Sequence, residues 1–253
     1  MINIGYDLLG VAAEKKISFF KEDKLAYFIS SALAGVYVGL CMITILVMAG
    51  ALDHFAGIKI LQGVSFAAAL SLVAFAGAEL FTGNVFIMTA GVMNGTTKPR
   101  DSLALCAYCY LGNLAGSILI ATLFWRTGYL QGKVLAAATS AIADKTAPFF
   151  MELLTRGILC NVLVCLAVWC VYRMKSESGK LIMIFWCIYL FVVCGFEHSI
   201  ANMTLFSLGM IAGGDCMAGF DWMLINLTAT TIGNILGGVA LSLAYWIIGR
   251  KAV

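Results

Sequence analysis

Gly77-Ala78-Glu79-Leu80-Phe81-Thr82-Gly83-Asn84 and Gly195-Phe196-Glu197-His198-Ser199-Ile200-Ala201-Asn202 are two copies of one pattern, each residue of the second lying 118 positions after its counterpart (195 minus 77). The register continues without a gap through Gly91 and Gly209 to Gly95 and Gly213. Each copy interrupts an apolar stretch of membrane length. Backbone that leaves a helix inside the hydrocarbon survives only where it is buried in protein or lines a cavity, and such breaks at corresponding places in two halves mark transport sites. The chain therefore reads as a protein that moves something small across a bilayer.

Composition agrees. Of 253 residues, 62% are hydrophobic and 11% charged, with a mean hydropathy of +0.98, outside the soluble globular range. Uncharged runs long enough to cross about 30 Å of hydrocarbon are Leu25 to Ala51, Ile60 to Ala78, Ser102 to Trp125 and Trp222 to Gly249. Gly157 to Tyr172 becomes a full span if its helix begins near Pro148 and carries Glu152 and Arg156; Leu181 to Phe196 becomes one by continuing past Glu197. The fold class is thus an all-α integral membrane protein of six transmembrane helices, the second and fifth broken. Pro99 reads as the end of the second span and Pro148 as the first turn of the fourth.

With six spans both termini lie on one side. Lys15, Lys16, Lys21, Lys24, Lys98, Arg100, Arg173, Lys175, Lys180, Arg250 and Lys251 share it, against Lys59, Arg126, Lys133 and Lys145 opposite. The positive-inside rule makes the termini cytoplasmic. The net charge of +3 reflects this asymmetry, so no nucleic-acid partner is inferred. In residues 1–24, Lys15 and Lys16 follow the apolar stretch, which suits an interfacial amphipathic helix rather than a cleavable signal. Residues 25–253 form the six-span channel domain. The nine cysteines, from Cys41 to Cys216, fit no disulfide framework, and Cys106-x-x-Cys109 reads as small core residues.

Each half, about 25–127 and 147–250, holds three spans, so the second copy enters the membrane inverted. Gly112-Asn113-x-x-Gly116 parallels Gly233-Asn234-x-x-Gly237, and Gly35 and Gly39 are matched with Gly157 and Asn161, small residues that permit close helix contact.

The breaks hold the candidate chemistry. Glu197 and His198 are ionisable at membrane depth, where charge is costly unless paired or hydrated, and an imidazole exchanges protons near neutral pH. His198 aligns with Leu80 and Ile200 with Thr82, so a lumen flanked by Thr82 and His198 is expected to hold a small hydrogen-bonding solute; Thr82 alternatively caps the helix restarting near Gly83. Glu79 and Glu197 recur at one repeat position and are expected to take the orphan amides of the breaks. Asn84 and Asn202 are expected to serve the same scaffold, Asn202 with the further option of orienting His198, and Asn161 and Asn202 are expected among the residues that line the pore. Lys145 sits just outside the fourth span, on the side away from the termini, either as a solvated loop lysine or as a positive charge gathering anions. Glu152 and Arg156 are spaced to neutralise one another. Phe66, Leu70, Leu80, Phe81 and Phe191 can close the path as hydrophobic constrictions.

These residues closely resemble the formate/nitrite transporter family, most specifically in Ala78 to Asn84, Gly157-Ile158-Leu159-Cys160-Asn161, Gly195 to Asn202 and Thr231-Ile232-Gly233-Asn234. The resemblance implies an aquaporin-like fold in a homopentamer with one pore per protomer, in a prokaryotic inner membrane. It assigns the central histidine to His198, the loop threonine to Thr82, the vestibule lysine to Lys145 and the constrictions to Phe66, Leu70, Leu80 and Phe191. The substrates it implies are monovalent anions of weak acids: formate, nitrite, hydrosulfide and, in some members, lactate. Thr82 is followed by Gly83-Asn84 rather than the Ser-Thr pair of formate members, which favours nitrite or hydrosulfide.

The function expected is therefore a channel or transporter for such anions and protons, not an enzyme, with no cofactor. An anion crosses an apolar neck at high cost and its neutral acid easily, so proton transfer from His198, or coupled proton uptake, lowers the barrier. On the first route His198→Ala abolishes the pH dependence of flux. Two alternatives remain, a pore for water or glycerol, and a membrane metal or redox protein. With only His54 and His198 available, a histidine-rich metal site is disfavoured.

Overall fold

A computed structural model describes residues 2–53, 55–214 and 219–250; His54, Cys216 and Lys251 lie outside the described residues. Among the described residues every regular element is helical: α1 (Ile2–Glu22), α2 (Lys24–Ala51), α3 (Ile58–Phe66), α4 (Ala68–Ala76), α5 (Phe81–Met93), α6 (Pro99–Arg126), α7 (Gly132–Thr146), α8 (Phe150–Arg173), α9 (Glu177–Val193), α10 (Ser199–Ala212) and α11 (Phe220–Arg250). Among the described residues, five helical rods are long and apolar enough to cross a membrane: α2, α3 with α4, α6, α8 and α11. Large apolar side chains such as Leu25, Ile29, Leu103, Leu111 and Leu159 stay exposed on their outer faces, as lipid-facing surfaces require.

The two rods that stop short do so by the same device. α4 ends at Gly77, whose φ of +77° is open to glycine at no steric cost, and the Ala78 amide donates back to the Val73 carbonyl at 3.0 Å. α9 ends likewise at Gly195, φ +69°, with the Phe196 amide on the Phe191 carbonyl at 3.0 Å. Both are six-to-one closures of the Schellman type. The chain then runs extended through Leu80 and through His198 before α5 and α10 begin.

α2 packs chiefly on α6, and α8 on α11. Glycine makes these contacts close enough: a Cβ on Gly116 would overlap the Ala32 carbonyl, and one on Gly237 the Ile158 carbonyl. The same equivalence holds where Asn113 donates to the Ser31 carbonyl and Asn234 to the Gly157 carbonyl. Ser31 is therefore the counterpart of Gly157, and the match of Gly35 with Gly157 is wrong by one turn. Small residues recur every four positions on both helices, so the pattern looks alike in either register.

Three further expectations change. Pro99 opens α6 at its first turn rather than closing the preceding span. Lys145 is in the last turn of α7, not in a loop; α7 buries Ala138 and Ile142 against the bundle. Glu152 does not pair with Arg156: its Oε2 accepts the Phe149 amide at 2.9 Å and caps α8, where an acidic side chain also favours the helix dipole. In α1, Tyr6, Leu9, Ala13, Ile17 and Phe20 are buried, a stripe at helical spacing that packs on α5 and α11. Tyr6 is tied to Ser242 at 3.1 Å.

Candidate functional site: a neck between two vestibules

The breaks face each other, and asparagines rather than glutamates satisfy their backbones. Asn113 Oδ1 accepts the Phe81 amide at 2.9 Å while its Nδ2 donates to the Glu79 carbonyl at 2.9 Å. Asn234 Oδ1 accepts the Ser199 amide at 3.0 Å and its Nδ2 donates to the Glu197 carbonyl at 3.0 Å. Two further amides go to carbonyls, Glu79 N to Ser30 and Glu197 N to Arg156. Asn113 and Asn234 are fully buried, as groups closing a backbone inside hydrocarbon must be. Both stood in the repeated Gly-Asn pair, where the glycines drew the reading instead.

The carboxylates gather side chains. Glu79 takes Lys16 Nζ at 2.6 Å, Asn84 Nδ2 at 2.8 Å and the Tyr27 hydroxyl at 3.1 Å. Glu197 takes Lys145 Nζ at 2.9 Å, Asn202 Nδ2 at 2.7 Å and Asn226 Nδ2 at 3.4 Å. Each half thus sets a lysine, a glutamate and an asparagine beside its break. Lys16, half-buried on α1, loses by burial but gains more from the Glu79 carboxylate, which holds its pKa above the ordinary lysine value. Lys16, Tyr27 and Asn226 were not singled out in the sequence, since nothing local in it joins α1 to the first break.

His198 caps α10: its Nδ1 accepts the Ala201 amide at 3.2 Å. With that lone pair engaged, the neutral ring carries its proton on Nε2, which donates to Thr82 Oγ1 at 3.1 Å. No lumen separates the two side chains; they bond directly. Thr82 caps nothing, because Leu80 occupies the N-cap of α5. Its carbonyl accepts Asn161 Nδ2 at 3.2 Å and the Cys165 thiol at 3.6 Å, so Asn161 is packed behind Thr82 and does not face the path. Asn202 binds Glu197 and Asn226, not the imidazole, and its side chain forms part of a vestibule wall.

Three cavities adjoin one another through shared wall residues, and the His198 ring lines two of them. One of about 260 Å³ is walled by Lys16, Glu79, Asn84, Tyr172, Leu70 and Leu80. A second, of about 490 Å³, is walled by Lys59, Lys145, Arg156, Glu197, Asn202, Phe66, Phe191 and His198 among others. Between them lies a space of about 10 Å³ bounded by Leu70, Leu80, Phe66, Phe191 and His198, roughly one water in size. Leu70 and Leu80 belong to the first cavity and the neck; Phe66, Phe191 and His198 belong to the second and the neck. Phe66 meets Phe191 edge-on at 6.0 Å, and Phe191 stacks on His198 at 5.9 Å. Phe81 is elsewhere, edge-on to Tyr110 at 4.9 Å and facing an apolar crevice between α5, α6 and α11, because side chains at successive positions of a helical start diverge. Among the described residues no three His, Cys, Asp or Glu cluster as metal ligands.

Apolar rods, two matching breaks and an imidazole in an apolar neck between vestibules walled by charged side chains define a membrane channel or transporter. The chain belongs to the formate/nitrite transporter family, whose sequence model matches residues 6–247. It is similar to the nitrite transporter NirC of Escherichia coli (strain K12), 42% identical over 192 residues, or 74% of this chain and 69% of that protein. Among solved structures it resembles an FNT family ion channel with a TM-score of 0.90 and 35% identity, covering 96% of this chain and 98% of the other. It also resembles a pentameric formate channel with formate bound, TM-score 0.76 and 28% identity, covering 89% and 97%.

Proposed function

We propose that the protein carries small monovalent anions of weak acids, nitrite before formate and with hydrosulfide open, through one pore per protomer of a homopentamer in a prokaryotic inner membrane. The arrangement is six spans in two inverted halves, aquaporin-like, with both termini cytoplasmic and α1 at the inner interface. The observation that carries it is the apolar neck bounded by Leu70, Leu80, Phe66, Phe191 and His198, where the imidazole that bonds Thr82 stands between two vestibules that each hold a lysine. The nitrite preference rests on the similarity to NirC and on Gly83-Asn84 after Thr82; pentamer formation rests on the likeness to a pentameric channel.

In the Lys145 vestibule the cations outnumber the carboxylates and raise the local anion concentration, and the neck bars bare charge. An anion that parts Thr82 from His198 meets the Nε2–H and the threonine hydroxyl as donors. Because Nδ1 is held by the Ala201 amide, the ring has no free site for a second proton, so the proton that neutralises the anion comes from vestibule water. Of the two routes read from the sequence, the geometry favours proton uptake over donation by the ring. The test is nitrite flux into proteoliposomes across pH. Flux should rise as pH falls, and His198→Asn, whose side chain can still accept the amide and donate a hydrogen bond, should slow flux yet retain that dependence. Loss of pH dependence in His198→Asn would return the proton to the imidazole; osmotic swelling without anion flux would favour a neutral-solute pore.

A further inference from the structure

The charges of the two vestibules do not balance alike. Lys16 faces Glu79 on one side, one cation against one anion at 2.6 Å. The other side holds Lys59, Lys145 and Arg156 against Asp144 and Glu197, and Lys145 is already paired with Glu197 at 2.9 Å. Arg156 enters that wall from α8, and its own carbonyl receives the Glu197 amide, so its side chain starts at the level of the break. Glu152, one turn before it, is engaged in capping α8. Among the described residues no ion pair or side-chain hydrogen bond engages the guanidinium.

From this imbalance we infer that Arg156, with Lys59 beside the mouth, forms a landing site for planar two-oxygen anions on the Lys145 side of the neck, a site the opposite vestibule lacks. This rests on reading the protein as an anion conduit. A guanidinium offers parallel N–H donors that match two oxygens on one atom, as in nitrite or a carboxylate, whereas a lysine or a single-atom anion cannot use that fork. A one-signed excess in a cleft with low-dielectric walls also concentrates anions, increasingly so at low salt.

Right-side-out and inside-out membrane vesicles measure half-saturation for nitrite from each face. In the wild type, the Lys145 face should saturate at the lower concentration, and the difference should shrink as ionic strength rises. Arg156→Gln should raise half-saturation from that face roughly fivefold, the effect of one contact-distance charge in water, and collapse the ratio between faces. Arg156→Lys should recover hydrosulfide and chloride competition but not the nitrite advantage, because the charge returns without the fork. Lys59→Gln, at an exposed position, should narrow the ratio in the same direction, and it decides the matter alone if the Arg156 variants fail to assemble. An equal ratio in wild type and Lys59→Gln, or in wild type and Arg156→Gln, overturns the inference. Wild-type vesicles with no nitrite flux above empty controls would instead overturn the anion-conduit reading itself.

Discussion

Asn234→Ala tests what holds the second break together. Asn234 is fully buried and makes three hydrogen bonds to main chain: it accepts from Ser199 N at 3.0 Å and donates to Gly157 O at 2.9 Å and Glu197 O at 3.0 Å. Truncation leaves one amide and two carbonyls without these partners. The Gly157 carbonyl still has its helical partner and relaxes cheaply, but the Ser199 amide and the Glu197 carbonyl belong to extended chain. At about 1–3 kcal/mol for each of these two buried groups left unpaired, the loss comes to about 2–6 kcal/mol. Ser199 follows His198 directly, so the same change frees the ring from its fixed place beside Thr82. Unfolding of the purified protein in mixed micelles by denaturant reads the stability, and nitrite flux in proteoliposomes reads the site. Both should fall, and Asn234→Asp should not rescue them, because it returns the acceptor for Ser199 but turns a second oxygen toward two carbonyls. Asn234→Ala with unfolding within about 1 kcal/mol of wild type and normal flux would show that the asparagine does not secure the break.

Other outcomes follow from individual contacts. Thr82→Val keeps the shape but removes the partner of His198 Nε2, and should slow nitrite flux roughly fivefold, on the scale of one net hydrogen bond of about 1 kcal/mol; equal initial rates would place the hydroxyl outside transport. Lys145→Met leaves Glu197 buried without its cation and should weaken both stability and flux, while Lys145→Met with Glu197→Gln recovers part of each, since an unpaired buried charge costs more than a missing pair. Thermal midpoints and flux of the single and double variants decide this. Gly116→Val sets a side chain against the Ala32 carbonyl, and the α2–α6 contact should lose about 1–3 kcal/mol or more, visible as a lowered thermal midpoint; an unchanged midpoint would mean that the helices separate freely.

Much of the fold could be read from hydropathy alone, because a bilayer demands long apolar helices and punishes loose backbone, so the spans and the breaks at Gly77 and Gly195 stand out locally. The Gly-Asn pair shows how local reading also misleads. Its glycines were legible as contact points, but the task of Asn113 and Asn234 is set by strands of chain far away in sequence. Period-four small residues hid the register between α2 and α8. Phe81 looked like its neighbour Leu80, yet one step along the turn from extended chain into α5 sends it to the opposite side. α7 is not legible as a helix in hydropathy, because with Lys133, Asp144 and Lys145 it carries no apolar run of membrane length.

From residues alone come the membrane class, the family resemblance, the repeated breaks and the identity of the polar groups near them, since these depend on composition and on spacing along one chain. Only the folded structure decides that His198 caps α10 through Nδ1 and therefore presents Nε2–H to Thr82, that Lys16 reaches Glu79 from α1, and that Glu152 turns to the helix end instead of to Arg156. Each of those facts depends on which groups compete for one partner in space. Sequence names the competitors, but distance and direction choose among them.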